Sequence, residues 1–190
     1  LVSCKNDKEA ENTENETIKE KKNEYFSVEI DVIASKEDNF SVYYTEDGTI
    51  NFTGEKAVWS GVLAQDASQK VTFKLPEEVI PTHIRFDLGL NKEQGDIIVE
   101  KFKFDFYGNS FEAKGSDFLK YFIANDQVKT EIDEAKGTIK FLKNPNGFVA
   151  PFYYPHQALL DEIAKKKKKK KKKNNFYQKA TNCHKAFVAF

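Results

Sequence analysis

Through most of the middle of this chain apolar residues fall on every second position, and that period restricts it to β-structure. Phe26, Val28, Ile30 and Val32 alternate with Ser27, Glu29 and Asp31. Successive side chains of a strand point to opposite faces, so such a segment has one buried face and one wet face. Val71, Phe73 and Leu75 alternate with Lys70, Thr72 and Lys74 until Pro76, and Ile84, Phe86 and Leu88 mark another strand, closed by Gly89. Val128 to Ile132 and Thr138 to Leu142 read as two more.

Two local signals refine the pattern. Asp47-Gly48 lies between the alternating segments Phe40 to Thr45 and Thr49 to Thr53. Asp-Gly suits a two-residue hairpin turn whose central residues both take positive φ, so a hairpin is expected there. From Gly95 to Tyr107 the apolar phase changes: Ile97 and Val99 are odd-numbered, Phe102, Phe104 and Phe106 even. One extra residue restores a common face, which predicts a β-bulge near Glu100-Lys101. Ser116 to Phe122 is expected to be a short helix with Ser116 as its N-cap. Gln157 to Ala164 is expected to be another, amphipathic through Leu160 and Ile163. The fold class that follows is all-β, an antiparallel sandwich of jelly-roll type over residues 25–143, with residues 144–164 as an extension. Its core is expected to hold Val28, Ile30, Val42, Phe73, Ile84, Phe86, Phe104 and Ile139.

The ends have a different character. Leu1-Val2-Ser3-Cys4 resembles the end of a bacterial lipoprotein signal peptide, and the chain contains no Met, as expected of a precursor clipped within such a segment. The resemblance implies that the Cys4 thiol carries the lipid and joins the protein to membrane lipid. The alternative is a frayed strand end with an ordinary thiol. Residues 5–24 are almost wholly polar, with Ile18 the one large apolar side chain. They are expected to form a disordered tether, about 20 residues spanning roughly 25 Å as a flexible coil. Lys5-Asn6-Asp7-Lys8-Glu9 resembles the export signals of surface lipoproteins in the Bacteroidetes, which implies the outward face of the outer membrane. No run approaches the roughly 20 apolar residues that a spanning helix needs.

Lys165 to Lys173 is an unbroken run of nine lysines, which hides the charge of the rest: 21 basic residues against 30 acidic ones, a net of −9. An acidic body with Arg85 as its one arginine argues against nucleic acid as a partner. Residues 165–190 read as a low-complexity tail. An adenine-rich tract with a slipped reading frame is the favoured origin, then a solvated, self-repelling run, ahead of a polybasic patch that attracts anionic lipid or nucleic acid.

Three short stretches carry a further resemblance. Lys70-Val-Thr-Phe-Lys-Leu-Pro, Ile84-Arg-Phe-Asp-Leu-Gly and Ile97-Ile-Val-Glu-Lys-Phe-Lys-Phe resemble the β-sandwich modules of bacterial surface glycobiology, which are similar to carbohydrate-binding sandwiches. The likeness covers Tyr25 to Leu142 and implies a non-catalytic binder of glycan or another envelope component.

The residues themselves offer little for catalysis. His83, His156 and His184 have no metal-ligand spacing, and no nucleophile elbow or phosphate loop occurs. No cofactor is expected. Asp87, Asp96, Glu100 and Asp105 are the carboxylates from which a glycosidase pair would have to come. Arg85 and Asp87 are two apart on one strand and share a face, either as a structural ion pair or as a donor and acceptor for sugar hydroxyls. For a stacking platform the candidates are Tyr43, Trp59 and Tyr107, with Tyr44 and Tyr121. Tyr43 is out of phase with Phe40, Val42 and Tyr44 and is expected to be exposed. Trp59 shares its phase with Ala57 and Gly61, which favours the core. The alternative to a glycan binder is an interaction protein that docks an envelope partner through a sheet face or edge. Exposed Tyr or Trp near Asp, Asn or Arg favours glycan, whereas an apolar patch or an uncharged open edge favours protein.

Overall fold

In the computed structural model, which describes residues 25–168, ten strands form two antiparallel sheets packed as a sandwich. The strands are β1 (Phe26–Ala34), β2 (Asp38–Thr45), β3 (Ala57–Val62), β4 (Gln65–Lys74) and β5 (His83–Asp87), then β6 (Ile97–Phe106), β7 (Asn109–Lys114), β8 (Thr130–Asp133), β9 (Thr138–Phe141) and β10 (Phe152–Tyr153). Sheet A runs β4-β1-β6-β9-β8 with β7 also on β6, and sheet B runs β10-β5-β2-β3. The lipidation candidate Cys4 and the greater part of the tail lie outside the described residues. No described helix is long and apolar enough to cross a membrane.

Strand β6 holds sheet A together, and the bulge predicted on it is present. Against β1, Lys101 faces Asp31 while Val99 faces Val32, so Glu100 is the extra residue. Ile97 and Val99 then share the inward face with Phe102, Phe104 and Phe106, and all five are buried. The same bulge divides the far side of β6. Ile97 to Val99 pair with β9, and Lys101 to Phe106 pair with β7. Gly115, which follows β7, is buried at this handover, where an added Cβ would lie 1.9 Å from the Val99 carbonyl oxygen.

The core is rich in phenylalanine. Phe73 of sheet A meets Phe86 of sheet B edge-on at 5.6 Å. A 3-10 turn, Gly115–Asp117, runs into one helical turn, α1 (Phe118–Tyr121), which inserts Phe118 between the sheets. Phe118 stacks on Phe122 at 4.5 Å and lies 5.2 Å from Phe141 and 5.3 Å from Tyr153. All eight residues expected in the core are buried.

Several local expectations are corrected. The helix N-cap is Asp117 rather than Ser116, and no side-chain capping bond forms there. The β2–β3 hairpin exists, but residues 46–56 form its loop, and only Gly48 of the Asp47-Gly48 pair has positive φ, +85°. Asp47 instead accepts hydrogen bonds from the Thr49 backbone N–H and hydroxyl at 3.0 and 2.9 Å, which folds the loop early. The two-residue turn with both φ positive is Tyr107-Gly108, at +51° and +79°, joining β6 to β7. Strand pattern also continues past Leu142: β10 pairs with β5 and places Tyr153, wholly buried, in the core. The chain is helical over residues 157–168. Leu159 and Ile163 of that helix are buried, at 0 and 4 % exposure, and with Phe26, Phe104 and Phe106 they close one flank of the core.

The outer face of sheet A is a ladder of opposite charges. Lys70 reaches Asp31 and Glu29 at 3.0 and 3.6 Å, and Lys101 reaches Asp31 and Glu112 at 3.2 and 3.7 Å. Burial of the Asp31 carboxyl would raise its pKa, but hydrogen bonds and charge from Lys70 and Lys101 outweigh that and hold it below its usual 3.8. The folded chain therefore keeps Asp31 ionised more firmly than the unfolded chain does. That stability is complete above the ordinary carboxylate range and is lost as pH falls through the depressed value. In acid titrations followed by denaturant unfolding, Asp31→Asn should shallow the loss of stability below about pH 4.

Gly115→Ala provides a sharper check on the architecture. Because backbone rather than a flexible side chain blocks the new Cβ, β6 and β9 must separate, at a cost of about 3 kcal/mol or more in urea unfolding. A loss under about 1 kcal/mol would mean that the handover is looser than described.

Candidate functional site

On sheet B, alternation aims Phe40, Val42 and Tyr44 inward and Asn39, Ser41 and Tyr43 outward. Cross-strand register then assembles the outer face in rows. Phe152, Asp87, Ser41 and Trp59 face one another across four strands, and Arg85, Tyr43 and Ala57 form the next row. Residues opposite one another in antiparallel strands point to the same side, so these side chains share one surface. Ser41, Ala57 and Gly61 are small and keep the floor low, while the rings stand above it.

Trp59 is 46 % exposed. The core placement favoured by its phase is thus overturned, because Val58 and Val62 take the inward positions of β3. Tyr43, half-buried, meets Trp59 edge-on at 6.3 Å with the ring planes at 71°. Ser41 between Trp59 and Asp87 has no exposed surface, and among the described residues its hydroxyl has no hydrogen-bond partner.

Arg85 organises the middle of this surface. Its Nε and Nη2 each donate to Asp87 at 2.8 Å, a two-pronged ion pair. The structural ion-pair expectation for Arg85 and Asp87 is met. The guanidinium carbon lies 4.0 Å from the centre of the Tyr43 ring, 5.6 Å from Phe152, 5.7 Å from Phe52 and 6.0 Å from Tyr154. Four rings around one cation are a cation–π cage, each contact contributing on the order of 0.5–2 kcal/mol as desolvation increases. Burial opposes the charge of Arg85, but the Asp87 hydrogen bonds and charge hold its pKa above the usual value. For Asp87, burial pushes the carboxyl upward against the pull of Arg85. With two bonds of 2.8 Å the pair is ionic, and it holds the guanidinium against the Tyr43 ring.

Beyond Trp59 the surface continues as a shallow groove formed by Asn39, Gly61, Leu63, Leu90, Asn91 and Glu37. Of the sequence candidates, Tyr43, Trp59, Arg85 and Asp87 come together. Tyr107 does not. It occupies the β6–β7 turn of the other sheet and packs on Phe106 at 5.0 Å. Tyr44 is in the core, and Tyr121 packs on Phe102 and Phe111. Sequence reasoning missed Phe52, Phe152 and Tyr154. The run Phe152-Tyr153-Tyr154 carried a signal, since a period of two puts its first and third rings on one face. Only the pairing of β10 with β5 puts that face over Arg85.

The other carboxylates are elsewhere. Glu100 and Asp105 are on β6 of sheet A, and Asp96, in the loop before it, accepts the Lys143 N–H at 3.0 Å. Among the described residues no group of three or more His, Cys, Asp or Glu is placed to hold a metal ion. No family model, curated protein or solved structure matches this chain.

Because Asp87 depends on Arg85 for two charged hydrogen bonds, Arg85→Ala should cost roughly 2–3 kcal/mol in urea unfolding. Trp59→Ala, at an exposed position, should stay within about 0.5 kcal/mol of the parent. The reverse order would place Trp59 in the core and Arg85 at the surface.

Proposed function

We propose that the outer face of sheet B binds glycan, and that the protein is a non-catalytic lipoprotein of the bacterial envelope held at the outer membrane through acylated Cys4. The observation that carries the proposal is the exposed Trp59 ring set against Tyr43, beside the Arg85–Asp87 pair and Asn39. A flat exposed ring offers the apolar face of a pyranose a stacking partner. Asp, Asn and Arg supply acceptors and donors for the surrounding hydroxyls. The aromatic cage gives a rigid surface, so little side-chain entropy is lost when a sugar lands on it. A shallow face of this kind implies weak binding, on the order of 0.1–1 mM, with little salt dependence because a neutral sugar brings no charge to the contact.

A second reading, docking of an envelope protein, draws on Leu63 and Leu90, 61 and 53 % exposed at the far end of the groove. The edge strand β8 favours it less, since Glu131 and Asp133 on four residues guard that edge against strand addition.

Trp59 is the only tryptophan of the chain, so its emission reports directly on the surface. Titration with a panel of neutral oligosaccharides should shift that emission with saturation near millimolar concentration, and Tyr43→Ala should weaken the response at least threefold. If no glycan perturbs Trp59 while an envelope protein protects it from quenching, the docking reading replaces the glycan one. Labelled palmitate incorporated into the full precursor, and lost in Cys4→Ala, tests the anchor separately.

A further inference from the structure

The sandwich has a further concave feature next to the groove that extends the aromatic face, with Asp38 and Asn91 lining both. A cavity of about 200 Å³ opens between the loop after β5 and the loop after β9, at the end of the core. Its walls are apolar and include Leu88, Ile97, Val128, Phe141, Val149 and Pro151. An engineered apolar cavity of about 150 Å³ accepts benzene, so this one has room for a single substituted ring.

The polar groups lining it are nearly all engaged in holding the loops. Asp38 Oδ1 accepts the N–H groups of Asn39, Leu90 and Asn91 at 2.8, 2.8 and 3.1 Å, and Oδ2 accepts Gln94 Nε2 at 3.1 Å. Gln94 also clasps Lys36, accepting its N–H at 3.1 Å and donating to its carbonyl at 3.0 Å. Asn91 donates to the Glu37 carbonyl and accepts the Glu93 N–H, and Asn144 donates to the Gln127 carbonyl and accepts the Asn146 N–H. Asp38 is therefore a loop anchor, its charge answered by four donors. Lys92 and Lys143 also line the cavity, both are exposed, and neither forms an ion pair among the described residues. Of the carboxylates close in sequence, Asp96 receives the backbone N–H of Lys143 and Glu93 flanks Lys92 on the exposed side.

We propose that this cavity binds a small one-ring anion, a cyclic or aromatic carboxylate. The ring enters the apolar walls and loses its contact with water, the main source of affinity. The carboxylate stays at the mouth, where Lys92 and Lys143 meet it and no buried charge results. The cavity adjoins the far end of the sheet B groove, but neither Trp59 nor Tyr43 lines it, so the site stands whether or not that surface binds glycan.

Fluorine NMR on the full chain tests it with three probes of one size: fluorobenzoate, neutral fluorobenzene and cationic fluorobenzylamine. Fluorobenzoate should bind best, with a preference over the cation on the order of tenfold, the scale that two partly exposed charge contacts provide. Lys92→Gln with Lys143→Gln should bring the three probes level, Val149→Phe should fill the space and abolish binding, and Trp59→Ala should change nothing. Equal binding of the three probes to the parent, no binding at millimolar concentration, or persistence of binding in a folded Val149→Phe variant would each overturn the proposal. Should Val149→Phe fail to fold, the surface lysine variants decide alone.

Discussion

The bulge at Glu100 is the constraint on which the rest of the sandwich depends. Without the extra residue, either Ile97 and Val99 or the three phenylalanines of β6 would face water. A strand with side-chain period two cannot otherwise bury two segments of opposite phase. The same irregularity ends one partnership and begins another, so β7 and β9 share a single edge of β6. Gly115 completes the exchange by letting the backbone leave β7 against the Val99 carbonyl, a passage no side chain permits.

From that strand the packing extends to sheet B through rings. Phe102 touches both Phe118 and Phe122, and Phe86 touches them from the opposite sheet. Aromatic pairs at these separations add directional preference to area burial, which favours one relative placement of the sheets over sliding alternatives. Tyr153 enters the same cluster from β10. Because its neighbours Phe152 and Tyr154 point the other way, anchoring Tyr153 in the core is what holds two rings beside Arg85 on the outside.

The two outer faces show how one fold produces surfaces of different kinds. Sheet A presents Glu29, Asp31, Lys70, Lys101 and Lys103 as a solvated ladder, weak pair by pair and sensitive to salt. Sheet B presents an arginine caged by four rings and paired with Asp87, where partial burial strengthens the electrostatic contacts. A ladder of solvated charges holds water. A surface of rings sheds it.

Much of the fold was legible in the chain because periodicity reports directly on backbone geometry. Val28, Ile30, Val42, Phe73, Ile84, Phe86, Phe104 and Ile139 are all in the core, and the phase change at Glu100 located the bulge. Half of the aromatic site was legible too: a residue out of phase with its strand, as Tyr43 is, must face outward, and Arg85 and Asp87 two apart must share a side. Trp59 was misread because both faces of β3 carry apolar letters, Ala57, Trp59 and Gly61 on one and Val58 and Val62 on the other. Alternation says that the faces differ but not which is covered. Only the tertiary structure decided that, by laying Val58 and Val62 on the core and bringing β10, more than sixty residues downstream of β5, to close the cage around Arg85. Long-range pairing of that kind leaves no local trace, because the residues that meet do not constrain one another until the sheet has formed.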